Sequence, residues 1–224
     1  MMAIGLDGFR KGWVAVTLDG DRRSIAFPSD ISWLAAQRFD RAAIDIPIGM
    51  TEDGDRLCDR LARAKLRPHG SRVFSGARRW LWQEFTDPAR ANEEAVRRGQ
   101  SRVSLQLWHI GAKIMETDVF IRRHRHLDLR EVHPELVFLR LNDDKPLPSK
   151  HTEEGLALRR DLLAANGLRE LDEWLSVRRK GTGAKRDDVL DACAVALAAR
   201  DARDCLPSGD APHDSHQLAM QIWF

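Results

Sequence analysis

The chain predicts an α/β fold built on a mixed sheet. Three observations point to it: short alternating runs punctuated by Gly8, Gly12 and Gly20, a continuous apolar run at residues 42–48, and an alanine-rich helical stretch at residues 187–202. Three strands joined by tight turns form an antiparallel meander. A helix and a further strand after it add a crossover, which gives a sheet of mixed sense.

The meander strands are expected at residues 3–7, 13–18 and 24–27, followed by a helical stretch at 31–38. Residues 42–48 read as a buried parallel strand interrupted by one acid, Asp45. Residues 55–66 repeat apolar side chains at helical spacing and stop before Pro68. Residues 101–122 predict one long helix with Asp118 in the middle of its apolar face, where a carboxylate must meet a cation, a metal or several donors. A strand at 127–132 runs into Glu131-Val132-His133-Pro134-Glu135, and helices follow at 152–165 and 168–177. A glycine-containing loop at 180–185 leads into the alanine-rich helix, and residues 218–224 close the chain as an edge strand. The expected organisation is one domain over residues 1–224 with a helical, basic insertion at 55–125.

With 224 residues, 43% hydrophobic and 31% charged, the composition is that of an ordinary folded protein and excludes a mostly disordered or fibrous chain. The longest apolar run, residues 192–199, is far too short for a membrane helix. Cys58, Cys193 and Cys205 form neither a disulfide framework nor a zinc spacing. A cytoplasmic protein is the expectation.

Charge is segregated. The net charge is only +2, yet residues 55–79 hold eight Lys or Arg against two Asp. Arg56, Arg60, Arg63 and Arg67 fall at steps of four, three and four and share one helix face. Alone, such a column reads as a solvated face; beside a cleaving site it would hold a phosphate backbone.

Acids stand where acids are unusual. Asp7 ends the first apolar strand on the face of Gly5 and Ala3, Asp45 interrupts a buried run, and Asp188 and Asp191 lie three apart on one face of the closing helix. Asp187 and Asp188 also suit a helix cap, Asp7 a turn before Gly8, and Asp45 a strand end before Pro47. Asp191, embedded in Leu190-Asp191-Ala192-Cys193-Ala194, has no such role. Carboxylates brought together require a cation, because like charges resist joint ionisation.

The stretches Ile4-Gly-Leu-Asp7-Gly-Phe-Arg-Lys-Gly-Trp13, Ile44-Asp45-Ile-Pro-Ile-Gly49, Glu131-Val-His-Pro-Glu135 and Asp187-Asp-Val-Leu-Asp191-Ala resemble the predicted ribonuclease H-like nucleases of an uncharacterised domain-of-unknown-function family. The resemblance extends to Lys113, Glu116 and Asp118 and to Ser71-Arg-Val-Phe74, and the closing Asp-x-x-Asp-Ala helix is similar to that of Holliday-junction resolvases. It implies a ribonuclease H-like mixed five-stranded sheet flanked by helices, and a metal-dependent nuclease activity that is itself only predicted for the family. A meander followed by α-β-α-β sets the first and fourth strands side by side, so Asp7 and Asp45 become neighbours at strand ends where α/β sheets place ligands.

The expected function is phosphodiester hydrolysis with two Mg²⁺ or Mn²⁺ ions on Asp7, Asp45, Asp188 and Asp191, supported by Glu131 or Glu135. Arg56, Arg60, Arg63, Arg67 and Lys113 would contact a nucleic-acid substrate. His133 is an outside candidate for proton relay. The alternatives are a nucleic-acid- or nucleotide-binding module without catalysis and a phosphotransferase on the same fold.

Overall fold

A computed structural model describes residues 1–224. The meander is present as β1 (Met2–Phe9), β2 (Gly12–Asp19) and β3 (Arg22–Ala26). Gly20, at φ +55°, supplies the left-handed residue that the two-residue turn between β2 and β3 demands. The fourth strand, β4 (Arg41–Ile44), pairs parallel with β1, and β5 (Leu129–Val132) pairs parallel with β4. Two short strands complete the sheet: β6 (Cys205–Leu206) and β7 (Ile222–Trp223).

The sheet has seven strands in the order β3-β2-β1-β4-β5-β7-β6, two more than the five expected. The expected edge strand at 218–224 shrinks to Ile222–Trp223 and lies inside the sheet, parallel to β5, with β6 antiparallel on its outer side. A two-residue strand is too short to show alternation, so β6 leaves no trace in the sequence pattern.

Between β4 and β5 the chain is helical: α1 (Leu57–Lys65), α2 (Arg79–Glu84), α3 (Pro88–Arg97), α4 (Leu105–His109) and α5 (Gly111–Arg123). The single long helix expected at 101–122 is therefore two. The Trp108 carbonyl at the break accepts the Trp82 indole N–H at 3.2 Å, and a Cβ on Gly111 would lie 1.9 Å from that indole nitrogen. After β5 come α6 (Pro134–Leu141), α7 (Glu153–Ala165), α8 (Leu171–Glu173) and α9 (Arg186–Asp201). The helix expected at 168–177 is three residues of α8 and one π turn, Trp174–Arg178, closed by Arg179 N–H donating to the Trp174 carbonyl.

Two apolar layers enclose the sheet. On one face Ala3, Val14, Val16 and Ala43 pack against α6, α7 and α9; on the other Ile4, Leu6, Trp13 and Ile44 pack against Ile31, Leu34 and the helices between β4 and β5. Every α9 residue from Val189 to Ala199 is buried, and the small alanines let the helix lie close against β1. At Gly5 the approach is closest: a Cβ there would lie 2.1 Å from Ala196 N. This contact fixes where the acids of α9 stand relative to β1.

Candidate active site

Parallel pairing sets the site. Leu6 of β1 is in register with Ile44 of β4, and Asp45 N–H donates to the Leu6 carbonyl at 3.0 Å, so Asp7 and Asp45 stand side by side where the pairing of the two strands ends. The first turns of α9 bring Asp188 and Asp191 over them. All four line one cavity of about 490 Å³, together with Lys150, Arg72 and His133.

Asp7 is only 7% exposed. Burial, and then the charges of Asp45, Asp191 and Asp188, holds its carboxyl well above the ordinary range even with Lys150 nearby. Desolvation and the Asp191 charge push Asp45 up in the same way. No protein hydrogen bond satisfies either carboxylate. Asp188 is half-buried and partly committed: one oxygen accepts the Lys185 N–H at 2.6 Å and caps α9. Asp191 is buried with Oδ2 at 2.5 Å from Lys150 Nζ and Oδ1 without any partner.

Lys150 is the group that sequence reasoning missed. Its ammonium also lies 3.9 Å from Asp187, and it counters the charge on Asp7 and Asp45. Its one trace in the sequence is that lysine is scarce, since 29 of the 36 basic residues are arginine.

Glu131 and Glu135 reach the cavity but are taken up by arginines. Glu131 Oε2 and Oε1 accept from Arg56 at 2.7 and 2.6 Å, and Oε2 also accepts the Ile48 N–H. Glu135 accepts from Arg159 through both oxygens, at 2.6 and 2.9 Å, and from Arg72. Both carboxylates are thus largely engaged by arginines while still lining the cavity, so any support they give the aspartates is through charge and position. Arg159 outweighs burial and holds the Glu135 carboxyl below the ordinary range.

The arginine column does not act as one surface. Arg56 precedes α1, is 1% exposed, and donates to Asp59 as well as Glu131, so it cannot reach a substrate backbone. Arg63 donates to the Val73 carbonyl at 2.6 Å. Arg60 and Arg67 remain exposed, yet neither lines the cavity. Lys113 is likewise outside it, bonded to Glu116 at 3.0 Å and 4.4 Å from the Trp13 ring centre. Asp118 has its cations in Arg79 and Arg122. His133 is half-buried, its Nε2 lies 3.3 Å from the Arg72 carbonyl, and burial lowers its pKa, which keeps the ring neutral.

The donor set suits a hard divalent cation: unsatisfied carboxylate oxygens on Asp7 and Asp45 and an orphaned buried oxygen on Asp191. No three of these side chains stand closely enough together to coordinate an ion, and Lys150 occupies one oxygen of Asp191.

The sequence model described as "Protein of unknown function (DUF429)" matches residues 5–212. The chain belongs to the DUF429 family. No curated protein and no solved structure matches it. The DUF429 match runs from within β1 through β6, and with it all four aspartates and Lys150; β7 lies beyond it. No helix of this DUF429 protein is long and apolar enough to cross a membrane.

Proposed function

We propose that this chain is a metal-dependent nuclease of ribonuclease H-like architecture, hydrolysing phosphodiester bonds at the aspartate cluster. The observation that carries the reading is the meeting of Asp7, Asp45 and Asp191 in one cavity from three separate elements, with the oxygens of Asp7 and Asp45 and Oδ1 of Asp191 left without a protein donor. The architectural reading rests on the antiparallel meander followed by parallel β4 and β5, with α9 packed across β1.

Asp7, Asp45, Asp188 and Asp191 would hold Mg²⁺ or Mn²⁺. Such ions supply a water of lowered pKa and stabilise the leaving oxygen. The chain's own part is positional. The β1–β4 register fixes Asp7 against Asp45, the α9 packing fixes Asp191 above them, and burial of these carboxyls strengthens the charge interactions among them. On this reading the substrate is a nucleic acid or a nucleotide, and Arg60 and Arg67, both exposed, would meet its phosphates outside the cavity.

The test is cleavage of labelled single-stranded and duplex RNA and DNA by the purified protein with Mg²⁺ or Mn²⁺, beside Asp7→Asn and Asp191→Asn. The expected result is cleavage that both substitutions and chelation abolish. Cleavage that survives Asp7→Asn overturns the reading. A second reading, a binding module without catalysis, is favoured by the Lys150–Asp191 pair, which partly neutralises the cluster without metal. It predicts nucleic-acid binding with no cleavage at any metal concentration.

A further inference from the structure

Lys150 enters the acid cluster from a loop whose backbone is fastened on both sides. Arg159 donates to the Pro148 carbonyl at 2.9 Å, Arg72 donates to the Leu147 carbonyl at 3.3 Å, and the Ser149 carbonyl accepts both the Thr152 N–H and its hydroxyl. Leu147 is buried, and both arginines also hold Glu135. The backbone that carries Lys150 is thus fixed. Its four-carbon stem is not, and an ammonium binds as a point charge that a rotation of the stem can withdraw.

At the other end of that stem the geometry is that of a cation among anions. Nζ lies 2.5 Å from Asp191 and 3.9 Å from Asp187, in the cavity that Asp7, Asp45 and Asp188 also line. Only one Asp191 oxygen is taken; the other is buried and unpartnered. Asp191 therefore cannot serve a divalent ion with both oxygens while the ammonium stays in place.

We propose that Lys150 is the resident counter-ion of this cluster: it neutralises Asp191 while no divalent ion is bound and swings off it when one binds, so ammonium and metal compete for the same carboxylate. The inference rests on the reading of the aspartates as a divalent-ion site and goes beyond it, because it makes metal affinity a property set by a lysine that is not a ligand. The arginine clamp on Glu135 holds the backbone so that this exchange needs only side-chain motion.

Two measurements on the full-length protein test it. The first is calorimetric titration of Mn²⁺ into the metal-free wild type, Lys150→Met and Lys150→Arg. Removing a competing unit charge from the site is expected to tighten binding by about tenfold in Lys150→Met, while Lys150→Arg stays near the wild type. Equal or weaker binding by a Lys150→Met protein that melts cooperatively overturns the proposal. The second needs no substitution: reductive methylation of the wild type followed by mass spectrometry, with exposed Lys11 as the internal standard. Saturating Mn²⁺ is expected to raise the reactivity of Lys150 severalfold relative to Lys11, and an unchanged ratio overturns the proposal even if Lys150→Met fails to fold. If neither wild type nor variant binds Mn²⁺ at millimolar concentration, the divalent-ion reading itself fails and takes this one with it, a result distinct from equal affinities.

Discussion

Arg56 and Glu131, 75 residues apart in sequence, meet beside the cavity through two hydrogen bonds of 2.7 and 2.6 Å, and Asp59 closes on the same guanidinium. One cation thus serves two buried carboxylates. Replacing Arg56 with Met strands both, and a buried charge that loses its partner costs about 3–5 kcal/mol. Urea unfolding at neutral pH is expected to show a loss of that size; a loss below about 1 kcal/mol would mean that protons or water replace the arginine.

Gly5→Ala is expected to lower stability by about 1–3 kcal/mol, the usual cost of forcing an extra carbon into a packed core. The new Cβ would lie 2.1 Å from Ala196 N, which is backbone and cannot rotate away. Because α9 must retreat, Mn²⁺ affinity should fall together with the melting temperature. Unchanged metal affinity in the folded variant would show that the cluster tolerates a displaced helix.

Asp7→Asn is expected to raise the metal-free melting temperature at pH 7. The Asp7 carboxyl titrates above the ordinary range, so its ionisation disfavours the folded state at pH above the unfolded value of about 3.9. Mn²⁺ should then stabilise the wild type and leave the variant unmoved. Differential scanning calorimetry with and without Mn²⁺ measures both effects, and a variant less stable than the metal-free wild type would contradict the first.

Asp214 works with the opposite sign. Burial alone would raise its pKa, but hydrogen bonds from Arg79 and from the Leu218 and Met50 N–H groups outweigh it and hold the carboxyl below the ordinary range. Its contribution is full above the unfolded value of about 3.9 and is lost as pH falls through the depressed folded value. The stability gap between wild type and Asp214→Asn should therefore be constant from pH 7 to about 5 and close below about 4, as followed by circular dichroism melts.

Arg60 and Arg67 are the column residues still free to meet phosphate. Replacing both with Ala is expected to lower the magnitude of the log–log salt dependence of nucleic-acid binding by up to about two units, with little change in cleavage at saturating substrate. Fluorescence titration at several salt concentrations measures the slope. An unaltered slope would make α1 an ordinary solvated helix.

Much of the site was legible because its logic is local. Asp7 and Asp45 each break an apolar strand, Asp191 breaks an apolar helix, and the order of elements alone makes β1 and β4 neighbours. The requirement that Asp118 meet a cation is answered by Arg79 and Arg122. What was illegible depends on distant partners. Periodicity puts Arg56 in line with Arg60 and Arg67, but only the fold reveals Glu131 beneath it. Lys150 lies in a proline-containing loop without period, where nothing local marks a side chain that spans to α9. Glu131 and Glu135 look alike in sequence; each is committed by an arginine from a different part of the chain.

The contact between Gly5 and Ala196 also orders events in time. Chains emerge from the ribosome N-terminus first, so β1 to β4 exist as peptide long before α9 is made, and pairing across such a separation is slow to close. Until α9 docks, Ala3, Val14, Val16 and Ala43 lack much of their cover on that face, and Asp7 and Asp45 stand without Asp191. Completion of this face of the core and completion of the acidic cluster are therefore coupled, so a half-made chain carries Asp7 and Asp45 without the rest of the cluster.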